Sequence, residues 1–155
     1  MESEPACSIA RSLTVLGERW TFLILREALG GATRFAQFRA ALGIAPDVLA
    51  DRLATLVTCG VLTREPYQEP GRRARDGYQL TPAGRELQVV LGALQQWGDA
   101  HLPRPEGPTL LRRQRGTDRP LHVAYVDDDG REIDPDDVAF VRTAAYPVRP
   151  VTDED

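Results

Sequence analysis

The 155-residue sequence predicts a mainly α-helical fold carrying one small β-hairpin, followed by a small β-rich C-terminal appendage. Three observations carry this expectation. Apolar residues recur at helical spacing in five segments between Ser8 and His101. A strand-like segment, Val61 to Tyr67, interrupts that series and is answered by Tyr78-Gln79-Leu80 across a polar, arginine-rich tip. Beyond the Pro/Gly stretch from Pro103 to Pro108 the chain changes to short apolar runs around an Asp-rich turn.

Each element has its own local reason. Ile9, Leu13 and Leu16 repeat at four and three residues, so Ser8 to Leu16 reads as a short helix stopped by Gly17. Glu18 to Leu29 is a second helix, with Trp20, Leu23, Ile24 and Ala28 apolar and Gly30-Gly31 as its stop. Thr33 is the expected N-cap of a third helix, Arg34 to Leu42, with Phe35 and Phe38 turned inward. Gly43 makes a turn, and Pro46 suits the first turn of a fourth helix running to about Cys59. Leu49, Leu53, Leu56 and Val57 share one face of it, and Gly60 marks its C-terminal end. The hairpin tip spans Gln68 to Gly77 and carries Arg72, Arg73 and Arg75. Thr81-Pro82 then opens a long helix to about His101, striped by Leu87, Val90, Leu91, Leu94 and Trp97. In the tail, Leu121 to Val126 and Val138 to Val141 are strand candidates. Asp127-Asp128-Asp129-Gly130 is a turn, and Asp134-Pro135 can start a single helical turn.

Composition narrows the class. An apolar fraction of 42% supports one core of ordinary size. No apolar stretch approaches the roughly 20 residues needed to cross a bilayer; the densest, Trp20 to Leu25, is broken by Arg26 and Glu27. The acidic start Met1-Glu2-Ser3-Glu4-Pro5 does not read as a secretory signal, so a cytoplasmic protein without membrane association is expected. Cys7 and Cys59 stand outside any CxxC or Cys/His cluster, and His101 and His122 lack acidic or thiol neighbours at ligand spacing. No metal, no cofactor and no structural disulfide are therefore expected. All 19 basic residues are arginine, and the net charge is −4. Its distribution matters more than its sum: residues 1–115 carry +3 and residues 116–155 carry −7.

A helix-turn-helix followed at once by a hairpin with a basic tip is the winged-helix arrangement. A helix about 10–12 Å across fits the B-DNA major groove, roughly 12 Å wide. The tip then reaches flanking phosphates or the minor groove, where guanidinium groups are favoured. On this reading Ala45, Pro46, Asp47, Ala50, Asp51 and Thr55 lie toward the outer face of the fourth helix, with Arg52 beside them. Arg34 and Arg39 are candidate phosphate contacts, and Arg72, Arg73 and Arg75 form the wing tip. The bland readings stand beside these: a solvated arginine loop, and an Arg52 occupied in an ion pair with Asp51. Trp20 and Trp97 read as core or interface anchors, and Cys59 as core packing at a helix end.

Several stretches, in order, carry a family resemblance. They are Cys7-Ser8-Ile9-Ala10, Gly17-Glu18-Arg19-Trp20-Thr21, Leu23-Ile24-Leu25-Arg26, Arg34-Phe35 and Leu42-Gly43-Ile44-Ala45-Pro46. Leu49-Ala50-Asp51-Arg52-Leu53, Gly60-Val61-Leu62, Tyr67 and Tyr78-Gln79-Leu80-Thr81-Pro82-Ala83-Gly84 follow. Over about Cys7 to Leu102 the chain resembles HxlR-type winged-helix transcriptional regulators, relatives of the MarR group. The resemblance implies a homodimer on a pseudo-palindromic operator in double-stranded DNA. It implies a dimer interface built from the first helix and the helix after the wing, here Ile9, Leu13, Leu16, Leu87, Leu91, Leu94 and Trp97. It also implies a candidate redox or electrophile sensor at Cys7, against the alternative of a small side chain buried at that interface. A small-molecule effector bound between the dimer helices is a further open reading. Two features depart from the pattern. The fourth helix carries Asp47 and Asp51 and little positive charge. The tail resembles the zinc ribbon of some relatives only faintly, because Arg115, Val126 and Asp129 stand where cysteines would be expected.

The expected organisation is a winged-helix DNA-binding and dimerisation domain over 1–102, a linker over 103–108 and an acidic extension over 109–155. The expected function is sequence-specific transcription regulation, as a repressor. The alternative is a winged-helix protein-interaction module without specific DNA binding. No paired acid and base, Ser/His/Asp grouping or phosphate-binding glycine loop points to an enzyme.

Overall fold

Burying the apolar stripes of these helices against one another produces a small core roofed on one side by the hairpin. The computed structural model describes residues 7–68, 70–71 and 73–146. The elements are α1 (Ser8–Leu16), α2 (Arg19–Leu29), α3 (Phe35–Leu42), α4 (Pro46–Thr58), β1 (Leu62–Tyr67), β2 (Arg75–Leu80) and α5 (Pro82–His101). In the appendage a two-residue pair, β3 (Tyr125–Val126) and β4 (Glu132–Ile133), precedes a 3-10 turn at Pro135–Asp137. The fold is a winged helix-turn-helix with a small β appendage.

Ile24 and Leu25 from α2, Phe38 from α3, and Leu49, Leu53 and Leu56 from α4 are fully buried. Ile44 from the turn, Val61 before the hairpin, Leu62 and Tyr78 within it and Leu16 from α1 complete the core. Each large apolar side chain taken fully from water contributes about 1.5–3 kcal/mol before ordering costs. The hairpin docks through Tyr78, whose ring meets Phe38 edge-on at 6.4 Å between centroids.

Two glycines are set by geometry. Gly43 ends α3 in the left-handed region at φ 60°, which turns the chain toward α4. Gly84 lies in the first turn of α5, where an added Cβ would stand 2.1 Å from the Val61 carbonyl oxygen. That approach is fixed by Thr81, whose hydroxyl accepts from the Gly84 N–H at 3.0 Å and donates to the Gly60 carbonyl at 2.6 Å. A single side chain thus caps α5 and ties it to the end of α4.

Several expectations need correction. The returning strand of the wing begins at Arg75, not Tyr78, because β2 pairs with β1 from Leu62↔Leu80 to Tyr67↔Arg75. Backbone pairing carries this strand through the polar residues Arg75, Asp76 and Gly77, where apolar alternation gives no signal. The N-cap of α3 is Arg34 rather than Thr33; the Gln37 Oε1 accepts from both the Thr33 and Arg34 N–H groups at 2.9 Å. Cys59 is exposed just past α4 rather than packed in the core. Of the Leu121 to Val126 segment only Tyr125–Val126 forms a strand, and Val138 to Val141 forms none. β3 pairs with Glu132–Ile133 because the Asp127 turn closes tightly: its Oδ1 accepts from the Asp129 and Arg131 N–H groups at 3.0 and 2.9 Å. The 3-10 turn at Pro135 matches the expected helical turn, with the Asp134 Oδ1 accepting from the Asp136 N–H at 2.9 Å.

Candidate nucleic-acid interface

Burial of Leu49, Leu53 and Leu56 fixes the rotation of α4, so its opposite face meets solvent. Pro46, Asp47, Ala50, Asp51 and Ala54 are exposed there, with Ala45 exposed at the N-cap. Thr55 is half-buried and its hydroxyl donates back to the Asp51 carbonyl at 3.0 Å, a bond within the helix. Arg52 Nη2 lies 2.9 Å from Asp51 Oδ2, with side-chain exposures of 26% and 66%. Such a surface pair contributes about 0–1 kcal/mol to stability. Its larger consequence is electrostatic: Arg52 is neutralised, and Asp47 leaves the helix face with negative charge.

The wing supplies cations instead. Arg34 places its guanidinium 4.7 Å above the Tyr67 ring, and Tyr67 is the register partner of Arg75. Arg34 therefore stacks on the residue that the strand register sets opposite Arg75, although the two arginines come from opposite ends of the motif. The segment before α3 joins the hairpin as a third, minimal strand. The Tyr78 N–H donates to the Thr33 carbonyl at 2.7 Å, and Arg34 bridges to Gly77. Gly77 is buried, and a Cβ on it would sit 3.3 Å from the Glu65 carbonyl oxygen, so the close approach suits glycine. Arg73 and Arg75 are exposed; Arg72 lies outside the described residues. Arg39 is exposed in the last turn of α3.

Sequence patterning misses three contributors here. Tyr67 reads in the sequence as a strand residue and one piece of the family resemblance, with no tie to Arg34, yet its ring lies under the Arg34 guanidinium. Thr33 contributes its carbonyl rather than a helix cap. Arg64 sits 3.6 Å from Asp76 across the hairpin and 5.9 Å from the Tyr78 ring centroid, bracing the wing. A clue to Arg64 lies in the strand register, which places it opposite Tyr78.

The implied interface and sensor residues occupy distinct environments. On α1, Ile9 and Leu13 are 68% and 53% exposed, whereas Leu16 lies in the core. On α5, Leu87 and Leu91 pack against that core, while Leu94 and Trp97 are 53% and 56% exposed. Trp97 stacks at a tilt on His101, 5.2 Å between centroids. Cys7 is half-buried at the N-cap of α1. Hydrogen bonding from the Ala10 and Ile9 backbone N–H groups holds its thiol pKa below the ordinary value; Arg11 adds to this and partial desolvation opposes it.

The HxlR-like helix-turn-helix family model matches residues 15–106. The chain belongs to the HxlR-like helix-turn-helix family. A family relative in Mycobacterium tuberculosis (strain ATCC 25618 / H37Rv), the uncharacterised HTH-type transcriptional regulator Rv3095, is 48% identical over 106 residues. That match covers 68% of this chain, and the chain spans 66% of the relative's length. Among solved structures, PA1607, provisionally assigned as a transcription factor, superposes with a TM-score of 0.76 at 34% identity, covering 88% of this chain and 95% of its own. Coverage that wide extends beyond the winged helix into the appendage. The reduced form of the redox regulator HypR superposes with a TM-score of 0.56 at 26% identity, covering 62% of this chain and 94% of its own. The chain thus carries the family's helix-turn-helix within a winged-helix fold.

Proposed function

We propose that the chain acts as a homodimeric, sequence-specific repressor. In this reading α4 enters the major groove and the wing reaches the flanking backbone. The observation that carries it is the tie between wing and helix-turn-helix: Tyr78 to Thr33, and Arg34 stacked on Tyr67 next to Arg75. This tie holds the wing arginines at a fixed offset from α4. Arg34, Arg39, Arg73 and Arg75, joined by Arg72, supply the phosphate contacts. Ala45, Pro46, Asp47, Asp51 and Thr55 face base edges, with Asp47 or Asp51 suited to accept from cytosine N4. Arg52 positions Asp51.

Dimerisation through the exposed apolar residues of α1 and α5 (Ile9, Leu13, Leu94 and Trp97) presents two such units to successive half-sites. Leu16, Leu87 and Leu91 support that surface from beneath. Occupancy over a promoter excludes polymerase, which makes the protein a repressor. A gel shift on the DNA upstream of its own gene tests the reading: one retarded species that resists excess unrelated duplex is expected. Non-specific smearing alone contradicts it.

The exposed acids Asp47 and Asp51 favour a second reading, a protein-interaction module without specific DNA binding. Failure to retard any promoter fragment at low salt selects that reading. Responsiveness to a small molecule or to thiol chemistry is part of the proposal. HypR is named a redox regulator, and Cys7, with its lowered thiol pKa, is the corresponding candidate here. The Cys7→Ser variant should retain DNA binding but lose any release caused by the thiol oxidant diamide. Undiminished release in the variant rules out Cys7.

A further inference from the structure

The appendage does more than trail from α5. With α2 and α5 it encloses a cleft of about 960 Å³, within the size range of small-molecule sites. The walls are mainly apolar: Phe22 and Leu23 from α2, Leu91 and Leu94 from α5, and Leu121 and Val123 from the appendage. Gly92 lets the appendage close against α5, since a Cβ there would lie 3.1 Å from Val123 Cγ2 and 3.7 Å from Arg112 Cδ. The Gln96 side chain locks this wall, donating to the Val123 carbonyl at 3.0 Å and accepting from the Val123 N–H at 2.9 Å.

The charged residues lining the cleft are not equivalent. Arg26 is hydrogen-bonded to Glu27 at 2.8 Å, Arg113 to the Asp118 carbonyl at 2.8 Å, and His122 to Glu132 at 2.9 Å. Arg112 differs. Its Nε and Nη1 are buried without a hydrogen-bond partner, and Asp99, paired with it among the described residues, stands 3.8 Å from Nη1. A guanidinium with buried unmet donors is costly, and an anionic oxygen such as a carboxylate's is the charge-assisted acceptor such a donor lacks.

We propose that this cleft binds a small amphipathic carboxylate, its apolar body against α2 and α5 and its head on Arg112. The proposal rests on the reading that the regulator answers to a small molecule, and supplies the ligand's chemistry and place. The location gives such a ligand a route to DNA. One face of α2 lines the cleft while Ile24 and Leu25 on the other face belong to the core shared with α3 and α4. A ligand that prefers one packing of α2 therefore shifts the helix-turn-helix with it.

Isothermal titration calorimetry on the full-length, DNA-free protein tests this with decanoate and decan-1-ol, which share an apolar body and differ in the head. Saturable binding of decanoate is expected, tighter than decanol by roughly ten-fold or more, the worth of a charge-assisted hydrogen bond. Arg112→Gln should erase the preference for decanoate while leaving decanol unchanged, and Arg112→Lys should restore part of it. Absence of saturable decanoate binding, equal binding of the two probes, or full retention of the preference in Arg112→Gln overturns the proposal. The wild-type comparison decides even if the variants fold poorly. If a second copy of the chain fills the cleft instead, decanoate does not bind and Leu23→Gln dissociates the dimer, which also overturns it. Because DNA is absent, failure here leaves operator binding untouched, and failure of operator binding leaves this result standing.

Discussion

The winged-helix body and the C-terminal appendage are held together by different forces. Every buried residue among the described ones lies between Leu16 and Gly84; from Arg85 to Tyr146 none is buried. The body is organised by apolar side chains from α1, α2, α3, α4 and both hairpin strands, all within one buried cluster. The appendage is organised by backbone and amide hydrogen bonds. The Gln95 Nε2 donates to the Leu110 carbonyl at 2.6 Å, Gln96 clasps Val123, and the Asp127 carboxylate closes its turn. Large apolar side chains there are left outward, with Phe140 and Val141 86% and 82% exposed. A region built by burial gains a cooperative core; a region built by polar tethers can shift without breaking that core.

The largest expected contrast is in stability. Leu53→Ala should cost about 2–5 kcal/mol, the loss for a fully buried leucine whose cavity cannot collapse. Phe140→Ala should stay within about 0.5 kcal/mol, as for a surface residue. Urea unfolding of the two variants checks this, and a comparable loss for Phe140→Ala would show that the appendage is packed as the body is. A smaller effect sharpens the contrast. Gln96→Ala should lower global stability by no more than about 1 kcal/mol, yet expose the Val123 amide. Hydrogen exchange should accelerate at Val123 by roughly ten-fold or more while the Leu53 amide keeps its protection. Equal acceleration at both positions would mean that body and appendage open as one unit.

The same contrast explains what is legible in the sequence. The five helices are readable because each buries a stripe, and the helical period reports that stripe directly. Pro46, Gly43 and Thr81-Pro82 set helix boundaries within a residue or so, because they act locally. The early start of β2 is not legible. Arg75, Asp76 and Gly77 are held by backbone pairing and by the approach of Thr33, and neither leaves an apolar signature. Val138 to Val141 misleads in the opposite way. Its β-branched and aromatic residues suit a strand, but the Asp127 turn hands the pairing to Glu132–Ile133 and leaves no partner. Cys59 follows the same logic, since a small apolar side chain one residue past α4 has no neighbouring layer to enter. At the interface, the Asp51–Arg52 pair follows from adjacency, whereas Arg34 on Tyr67 requires the fold to bring together residues 33 apart in sequence.

The central claim is that charge for DNA comes from the wing and α3, with α4 neutral to acidic. The salt dependence of binding to the upstream DNA measures this most directly, comparing the wild type with Arg73→Ala/Arg75→Ala by fluorescence anisotropy. The account predicts weaker binding on all sequences alike, with the slope of log affinity against log salt shallower by roughly one for each phosphate no longer neutralised. Unchanged affinity and slope in the double variant would contradict it.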